Sequence, residues 1–290
     1  MKFLKLIALG GFVLSAGLIS NTVFAAGIAD SAVCKQLRAS NPELQGKTLV
    51  NAINPHTPGY EALDPNDPSH YVGFDIDLGE QMGECLGFKV EYKSVGFAAL
   101  LPTLQSGQAN FVISDIYATS ERAKAADFIT YSKVFDGVLV AKGNPKKITG
   151  INLSLCGATA AENTGFVEVP LIQALEKTCK AAGKPAPDIQ LYDNNASCIQ
   201  AVLNGRADTY INDINTVEQA VKANPTALAK AVAVTLPYSV GIAVPKGNEK
   251  FRTAMFDALV EIQNQGIETQ LLKKWSLGES NLEKPKLVLN

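Results

Sequence analysis

The sequence predicts an α/β fold with two similar lobes. Short strand-like segments alternate with amphipathic helices along the chain, which is typical of α/β architecture. A weak internal repeat supports two lobes, since Gly107 and Gly205 each end a predicted helix and each precede an aspartate, Asp115 or Asp213, by eight residues. Length permits this arrangement, because the 265 residues after a predicted leader are enough for two moderate domains.

The N-terminus has the features of a secretory signal peptide. Two lysines precede an apolar run from residue 6 to residue 19, and a small-residue pattern ends at Ala25. The run is short for a membrane span, and no later segment approaches twenty apolar residues. We therefore expect residues 1–25 to be removed and the remaining protein to be periplasmic. A lipid anchor is not expected, because the first cysteine is Cys34.

Composition argues against some classes of partner. Removing the leader takes two lysines with it, which leaves 24 basic against 28 acidic residues and a formal charge of −4. Binding to nucleic acid or a membrane surface would need a basic excess or a basic face. We therefore expect neither nucleic acid nor a membrane surface as a partner. Our expectation for the oligomeric state is a monomer.

The cysteines and histidines predict no metal site and no cofactor. Five cysteines follow the leader: Cys34, Cys85, Cys156, Cys179 and Cys198. In an oxidising compartment an odd number leaves at least one unpaired or bonded to another molecule. Their spacing contains no CxxC and no Cys/His cluster, and His56 and His70 lie apart in polar segments.

The first predicted elements are a strand, a loop and a helix. Residues 48–53 form a strand-like run, and residues 54–70 are rich in proline, glycine, asparagine and aspartate. One helical face then carries four apolar residues, Leu78, Met82, Cys85 and Leu86. Asp75 or Asp77 is a candidate cap for this helix, and Gly87 is its candidate end.

A half-exposed strand and a second helix follow. Residues 88–93 alternate apolar and charged side chains, which is the period of a strand. The next helix is predicted from Phe97, Leu100, Leu101 and Leu104. Pro102 is compatible with a helix only in its first turns, where a missing amide costs least.

The repeat also predicts where a ligand binds. Predicted strands at 110–114 and 208–212 run into Asp115 and Asp213. In open α/β sheets ligands bind at the carboxyl ends of strands, because strand ends and helix N-termini converge there. Two such edges facing each other would make a cleft with one aspartate from each lobe.

Several motifs in register resemble one protein family. They are YVGFDIDL (71–78), FAALLPTLQSG (97–107), TSER (119–122), ADF (126–128), NGRAD (204–208) with Asp213, GIAVPKG (241–247) and the segment 266–275. In order and spacing they are similar to the amino-acid-binding family 3 of bacterial extracellular solute-binding proteins, over nearly the whole mature chain.

The resemblance implies a fold and a function. The fold has two α/β sheets joined by two crossing hinge strands, with lobe one at 26–136 plus 238–290 and lobe two at 137–237. The chain would cross near 134–137 and return near 237–241. The implied function is the substrate-binding component of an ABC importer, which captures an amino acid or similar molecule by hinge closure and delivers it to a membrane permease.

An amino-acid ligand requires one charge of each sign. A guanidinium binds a carboxylate with two parallel hydrogen bonds, and the resemblance assigns this role to Arg122. Asp213 matches the position that binds the ammonium from the other lobe, so closure would complete the charge pairing. Both residues have structural alternatives, since Arg122 could be a solvated helix residue and Asp213 could cap the following helix.

Three aromatic or loop positions are also expected at the cleft. Phe97 resembles a cleft aromatic of the family, although its helical spacing equally supports core packing. Asn54 and Thr57 occupy loop positions that often meet the ligand side chain in relatives. Tyr117 stands where relatives usually have serine or threonine, and we hypothesise that its ring replaces an aromatic that relatives often have at the position of Thr57.

Lobe two and Asp115 depart further from the family pattern. Gly165 and Phe166 replace the usual Gly-Thr next to the ligand carboxylate, and Phe166 cannot supply a hydroxyl. Asp115 adds an acid where relatives often have glycine or serine, which favours a cationic ligand or a second ammonium contact. These departures argue against a standard small amino acid as ligand.

The resemblance also suggests disulfides. Cys156 and Cys179 stand where some relatives carry a bonded pair. Cys34 with Cys85 is a second expected pair, which leaves Cys198 free, and its apolar helical neighbours predict a buried thiol.

Two other functions stay open from the sequence. Related exported proteins with this fold include dehydratases of cyclic acids, and Asp115, Glu162 and Glu168 could supply acid/base groups. No serine elbow, Cys/His pair or metal motif supports an enzyme. A ligand-sensing clamp for a membrane receptor is the third possibility, although the sequence shows no transmembrane or signalling segment after the clamp.

Overall fold

The computed structural model describes residues 27–290, so the predicted signal peptide lies outside the described residues. Within this range no helix has the length and apolar character needed to cross a membrane. The strands in chain order are β1 (Thr48–Ile53), β2 (Ala62–Leu63), β3 (Tyr71–Val72), β4 (Lys89–Ser94), β5 (Ala126–Ser132), β6 (Phe135–Ala141), β7 (Thr159–Asn163), β8 (Asp188–Tyr192), β9 (Thr209–Asp213), β10 (Leu228–Thr235), β11 (Val240–Pro245) and β12 (Leu287–Val288). The helices are α1 (Ala32–Ser40), α2 (Phe74–Leu86), α3 (Leu100–Gln105), α4 (Glu168–Gln173), α5 (Leu175–Ala181), α6 (Asn195–Leu203), α7 (Ile214–Ala223), α8 (Glu249–Asn264) and α9 (Ile267–Lys274).

The sheet of lobe one is assembled from two parts of the chain. β1 pairs with β4 in parallel, and β5 lies between β11 and β12 with antiparallel pairing. Phe111 bridges to Asn51 and Val112 bridges to Ala243, which joins the two parts into one sheet. The strand predicted at 110–114 is therefore reduced to two bridged residues.

The sheet of lobe two has the order β10-β6-β9-β7-β8. β7 pairs in parallel with β8 and β9, whereas β6 pairs antiparallel with β9 and β10. Val138 and Ile211 belong to an apolar cluster on one face, and Leu139 and Tyr210 belong to a second cluster on the other face. Because successive side chains point to opposite faces, this pattern shows a sheet buried on both sides.

The chain passes between the two sheets twice. β5 of lobe one is followed after two residues by β6 of lobe two, and β10 of lobe two is followed after four residues by β11 of lobe one. These connections lie at 133–134 and 236–239. They overlap the predicted crossing ranges of 134–137 and 237–241 in part, and the proposed lobe boundaries stay predictions.

The caps of α2 differ from the sequence prediction. The residue before α2 is Gly73, and no side chain caps the helix, so the predicted capping by Asp75 or Asp77 is wrong. Gly73 has a φ of 141°, and a Cβ there would come within 2.1 Å of the Tyr60 carbonyl oxygen. The close backbone contact therefore excludes any capping side chain at this position. Gly87 ends the helix in the left-handed conformation, as predicted.

Each lobe contains one disulfide that joins two of its own segments. Cys34 on α1 bonds to Cys85 on α2, and Cys156 before β7 bonds to Cys179 on α5. Both predicted pairs are confirmed, and Cys198 is the free, buried cysteine among the described residues. The second bridge joins residues 23 apart, which corresponds to about 3 kcal/mol of stability in the chain-entropy model.

Candidate functional site

A small cavity lies between the lobes, where strand ends and connecting loops of both sheets meet. Its wall consists of His56, Phe97, Asp115, Tyr117, Arg122, Val134, Phe166, Val167, Glu168, Asn212 and Asp213. The volume open to the centre of a water molecule is about 10 Å³, which is room for about one water. The two lobes are therefore closed on each other.

Asp213 divides its two carboxylate oxygens between the helix and the cavity. It ends β9 and precedes α7, and its Oδ1 accepts a hydrogen bond from the Asn215 amide at 2.7 Å. Its Oδ2 is buried and has no hydrogen-bond partner within residues 27–290. Burial raises the pKa of Asp213 to about 7. Helix capping and an acceptor facing the cavity thus occur in the same side chain.

Asp115 presents a second acid from lobe one. Its φ of 36° is unusual for a residue with a side chain, and its amide donates to Asp75 Oδ2 at 2.7 Å. Its Oδ2 accepts from the Thr57 hydroxyl at 2.6 Å, while Oδ1 is buried without a partner among the described residues. Burial, followed by the charge of Asp213, raises the pKa of Asp115.

Arg122 joins the two lobes directly. Its Nη1 donates to the Tyr117 carbonyl of lobe one at 2.9 Å, and its Nη2 donates to the Gly165 carbonyl of lobe two at 2.9 Å. The guanidinium carbon lies 5.3 Å from the centre of the Phe97 ring. Burial lowers the pKa of Arg122 to about 10, so the side chain stays charged at neutral pH.

Three rings meet beside Arg122. The centre of Phe97 lies 4.2 Å from that of Phe166 across the cleft, and His56 lies 5.3 and 5.1 Å from the two. Phe97 also packs against the apolar cluster of Leu100. This one side chain therefore takes both positions that the sequence left open, the cavity wall and the edge of the core.

Asn54 and Thr57 lie behind the cavity wall. The backbone N–H of Asn54 donates to Ser114 Oγ, and its side-chain Nδ2 donates to the Val95 carbonyl, both at 2.8 Å. Thr57 is fully buried, and its hydroxyl is used by Asp115. The structure thus places both predicted positions in supporting roles within lobe one.

Tyr117 lines the cavity and connects it to a second acidic pair. Its hydroxyl donates to Asp136 Oδ1 at 3.0 Å. Burial raises the pKa of Asp136 to about 6, and burial together with Asp136 raises the pKa of its neighbour Glu168 further. Asp136 and Glu168 thus form a buried acidic pair in which each carboxyl binds its proton more tightly than it would in water.

His56 lines the cavity, although no sequence pattern predicted it as a site residue. It lies three residues after β1, which is the strand-end position that identified Asp115 and Asp213. Its Nδ1 lies 2.6 Å from the Asn54 carbonyl oxygen and 3.2 Å from Glu61 Oε1. Burial lowers the pKa of His56, so Arg122 is the permanent cation of the cavity wall. Within residues 27–290 no three His, Cys, Asp or Glu side chains are grouped to hold a metal ion.

The chain is similar to known binding proteins over most of its length. Residues 49–279 match the family described as bacterial extracellular solute-binding proteins, family 3. A probable histidine-binding protein of Neisseria gonorrhoeae is 30% identical, and the alignment covers 82% of this chain and 85% of that protein. An ancestral arginine-binding protein, solved bound to arginine, is 31% identical with a TM-score of 0.70, covering 80% of this chain and 99% of that one. A third similar structure is the ancestral amino acid-binding protein AncCDT-1, a precursor of cyclohexadienyl dehydratase, at 26% identity and a TM-score of 0.62, covering 83% and 99%.

Proposed function

Because the chain belongs to family 3 of the bacterial extracellular solute-binding proteins, we propose that it binds an amino acid or a close analogue between its lobes and delivers it to an ABC importer. One observation carries the proposal: Arg122 of lobe one and Asp213 of lobe two contribute opposite charges to one interlobe cavity. The predicted signal peptide supports a periplasmic location. The printed names of the relatives support an amino-acid ligand. We also propose that the protein acts as a monomer.

The chemistry of the cavity suits a zwitterion. A ligand carboxylate would accept hydrogen bonds from the Arg122 guanidinium in exchange for the carbonyl groups it now contacts. A ligand ammonium would donate to Asp213 Oδ2, the buried oxygen without a partner. Because the two partners lie on different lobes, a ligand that satisfies both favours the closed form over the open one.

The proposal is tested with protein that has been unfolded in guanidinium and refolded with its disulfides intact, which removes bound ligand. We expect at least one class of L-α-amino acid to raise the melting temperature, since binding to the native state stabilises it by mass action. Arg122→Ala should abolish this shift, at a cost of about 3 to 5 kcal/mol in binding, because the ligand carboxylate is left unpaired in a closed site.

Arg206→Ala is the matched control, because Arg206 is exposed and lies outside the cavity wall. Circular dichroism establishes that both variants are folded. An unchanged ligand affinity in Arg122→Ala would contradict the proposed carboxylate site. If no amino acid raises the melting temperature of the wild type, the proposed function is contradicted.

We also propose that the ligand is released unchanged. A dehydration would require a proton donor, and Glu168 is the acid of the cavity wall whose pKa is raised by burial and by Asp136. Proton NMR of cyclic carboxylic acids and amino acids after long incubation with the protein checks this directly. Any product that forms with the wild type and not with Glu168→Gln would show an enzyme instead.

A further inference from the structure

We infer that the ligand carries a second positive charge on its side chain and that Asp115 binds it. This inference rests on the proposed function, because it assumes that Arg122 and Asp213 take the carboxylate and the α-ammonium. It adds the chemical class of the ligand: an α-amino acid with an aliphatic stem that ends in a cation.

The charges of the cavity wall point to such a ligand. Its acidic residues are Asp115, Glu168 and Asp213, against the single permanent cation Arg122. Asp115 Oδ1 and Asp213 Oδ2 are both buried without a hydrogen-bond partner among residues 27–290. An amino acid with an apolar side chain would satisfy Asp213 and leave Asp115 Oδ1 unpaired, and a buried polar atom without a partner is costly. A carboxyl acceptor forms its strongest hydrogen bonds with a cation.

Asp115 is held as a fixed acceptor. The side chain is 6% exposed, and its Oδ1 is buried without a hydrogen-bond partner in the part of the chain that the structure describes. Hydrogen bonds from Thr57 to its Oδ2 and from its own amide to Asp75 keep the carboxylate in place. The left-handed backbone at this position is unfavourable for a residue with a side chain, so the surrounding contacts hold Asp115 in the cavity wall against this preference.

The groups behind Asp115 are acids rather than counterions. Asp75 accepts from Asp115 and from the Tyr131 hydroxyl at 2.7 Å, and Glu61 accepts from Ser114 at 2.8 Å. Both are fully buried, and burial raises the pKa of each. The basic side chain beside these acids is His56, whose Nδ1 lies 3.2 Å from Glu61 Oε1 and whose pKa is lowered by burial. We therefore expect the partner of Asp115 Oδ1 to come from the cavity.

The rings beside the cavity suit the stem of the ligand. Phe97 and Phe166 touch across the cleft, with their ring planes inclined by 56°. A ligand with an aliphatic stem would separate the two rings and pack against them. Lysine, ornithine and arginine combine such a stem with a terminal cation. Asn54 and Thr57 carry no charge, and their donor groups already bond within lobe one.

The test uses pairs of ligands that differ in side-chain charge. Isothermal titration of the refolded protein compares L-arginine with L-citrulline, and L-lysine with L-norleucine. We expect at least one cationic member to bind between about tenfold and a hundredfold more tightly than its neutral partner, the range for a hydrogen bond to a charged group. Asp115→Asn should remove this preference, so that the charged and the neutral member of each pair bind with similar affinity.

Asp188→Asn is the control, because it removes the same charge from an exposed residue of β8. If neutral amino acids bind as tightly as cationic ones, the inference is wrong and the proposed function stands. If Asp115→Asn weakens charged and neutral ligands equally, Asp115 holds the α-ammonium and the inference is also wrong. If no amino acid binds, the proposed function fails and this inference fails with it.

Discussion

Tyr117 shows how one large residue changes a site that small hydroxyl residues could have formed. Its ring occupies the cavity wall near Tyr238, with ring centres 6.3 Å apart. Its hydroxyl reaches past the cavity and donates to the fully buried Asp136. The side chain therefore reduces the space for a ligand and at the same time supplies a hydrogen bond to a buried carboxylate.

Tyr117→Phe should lower the free energy of unfolding by about 1 to 3 kcal/mol, because a buried acceptor loses its donor. Urea unfolding followed by circular dichroism measures the change. Tyr71→Phe is the comparison, since Tyr71 is a half-buried tyrosine of β3 outside the cavity wall. Equal stability of the Tyr117→Phe variant and the wild type would show that the bond to Asp136 has no net effect.

The loop between β7 and α4 contacts lobe one beside Arg122. Gly165 in this loop has a φ of 86°, and a Cβ there would lie 3.1 Å from the Cβ of Ala98. Its carbonyl oxygen accepts the hydrogen bond from Arg122. Glycine thus lets the loop both approach lobe one and turn its carbonyl toward the guanidinium.

Gly165→Ala should weaken binding of the amino acid that gives the largest thermal shift. The added methyl group opposes closure, and a loss of about 1 kcal/mol corresponds to a several-fold weaker affinity. Gly183→Ala separates closure from backbone strain, because Gly183 has a φ of 66° and no atom within 4 Å of its Cβ position. Equal affinities of the two variants, measured by titration calorimetry, would contradict a role of Gly165 in closure.

The lobes close around an acidic cavity, which ties closure to pH. Burial raises the pKa of Asp115, Glu168 and Asp213, the three acids of the cavity wall. An acid whose pKa is higher in the closed form binds protons more tightly there, so protonation favours closure. His56 acts in the opposite direction, because burial lowers its pKa. Because the cavity wall has three such acids and one such base, we expect the net effect of protonation to favour the closed form. Arg122 stays charged at neutral pH and does not contribute to this effect.

For protein stripped of ligand, we expect the closed fraction to fall as pH rises through about 7, the pKa of Asp213 in the closed form. Each proton bound on closure changes the ratio of closed to open molecules about tenfold per pH unit. Small-angle X-ray scattering should give a smaller radius of gyration at about pH 5 than at about pH 8. Asp213→Asn should reduce this difference, whereas a radius independent of pH in the wild type would contradict the linkage.

Local patterns were sufficient to predict several elements and the strand-end acids of the site. The strand-like run at 48–53 predicted β1, and the repeat predicted equivalent turns, since Gly107 and Gly205 have φ values of 72° and 67°. The same repeat brought Asp115 and Asp213 to attention as strand-end acids, and the structure places both at one cavity. The strand prediction depends on the order of apolar and polar side chains, and the turn prediction depends on the wide range of backbone angles open to glycine. Both can be read directly from a sequence.

The roles of individual cavity residues depend on contacts between distant parts of the chain. His56 and Asn195 are hydrogen-bonded across the cleft although 139 residues separate them, and Arg122 contacts a carbonyl 43 residues away. Asn54 lies behind the cavity wall because its backbone N–H and its side-chain Nδ2 donate to Ser114 and Val95. Sequence patterns therefore predicted the family, several strands and helices, and the charged residues of the cavity wall, Arg122, Asp115 and Asp213. Burial, hydrogen-bond partners and pKa follow from which segments the fold brings together, and only the folded chain shows that.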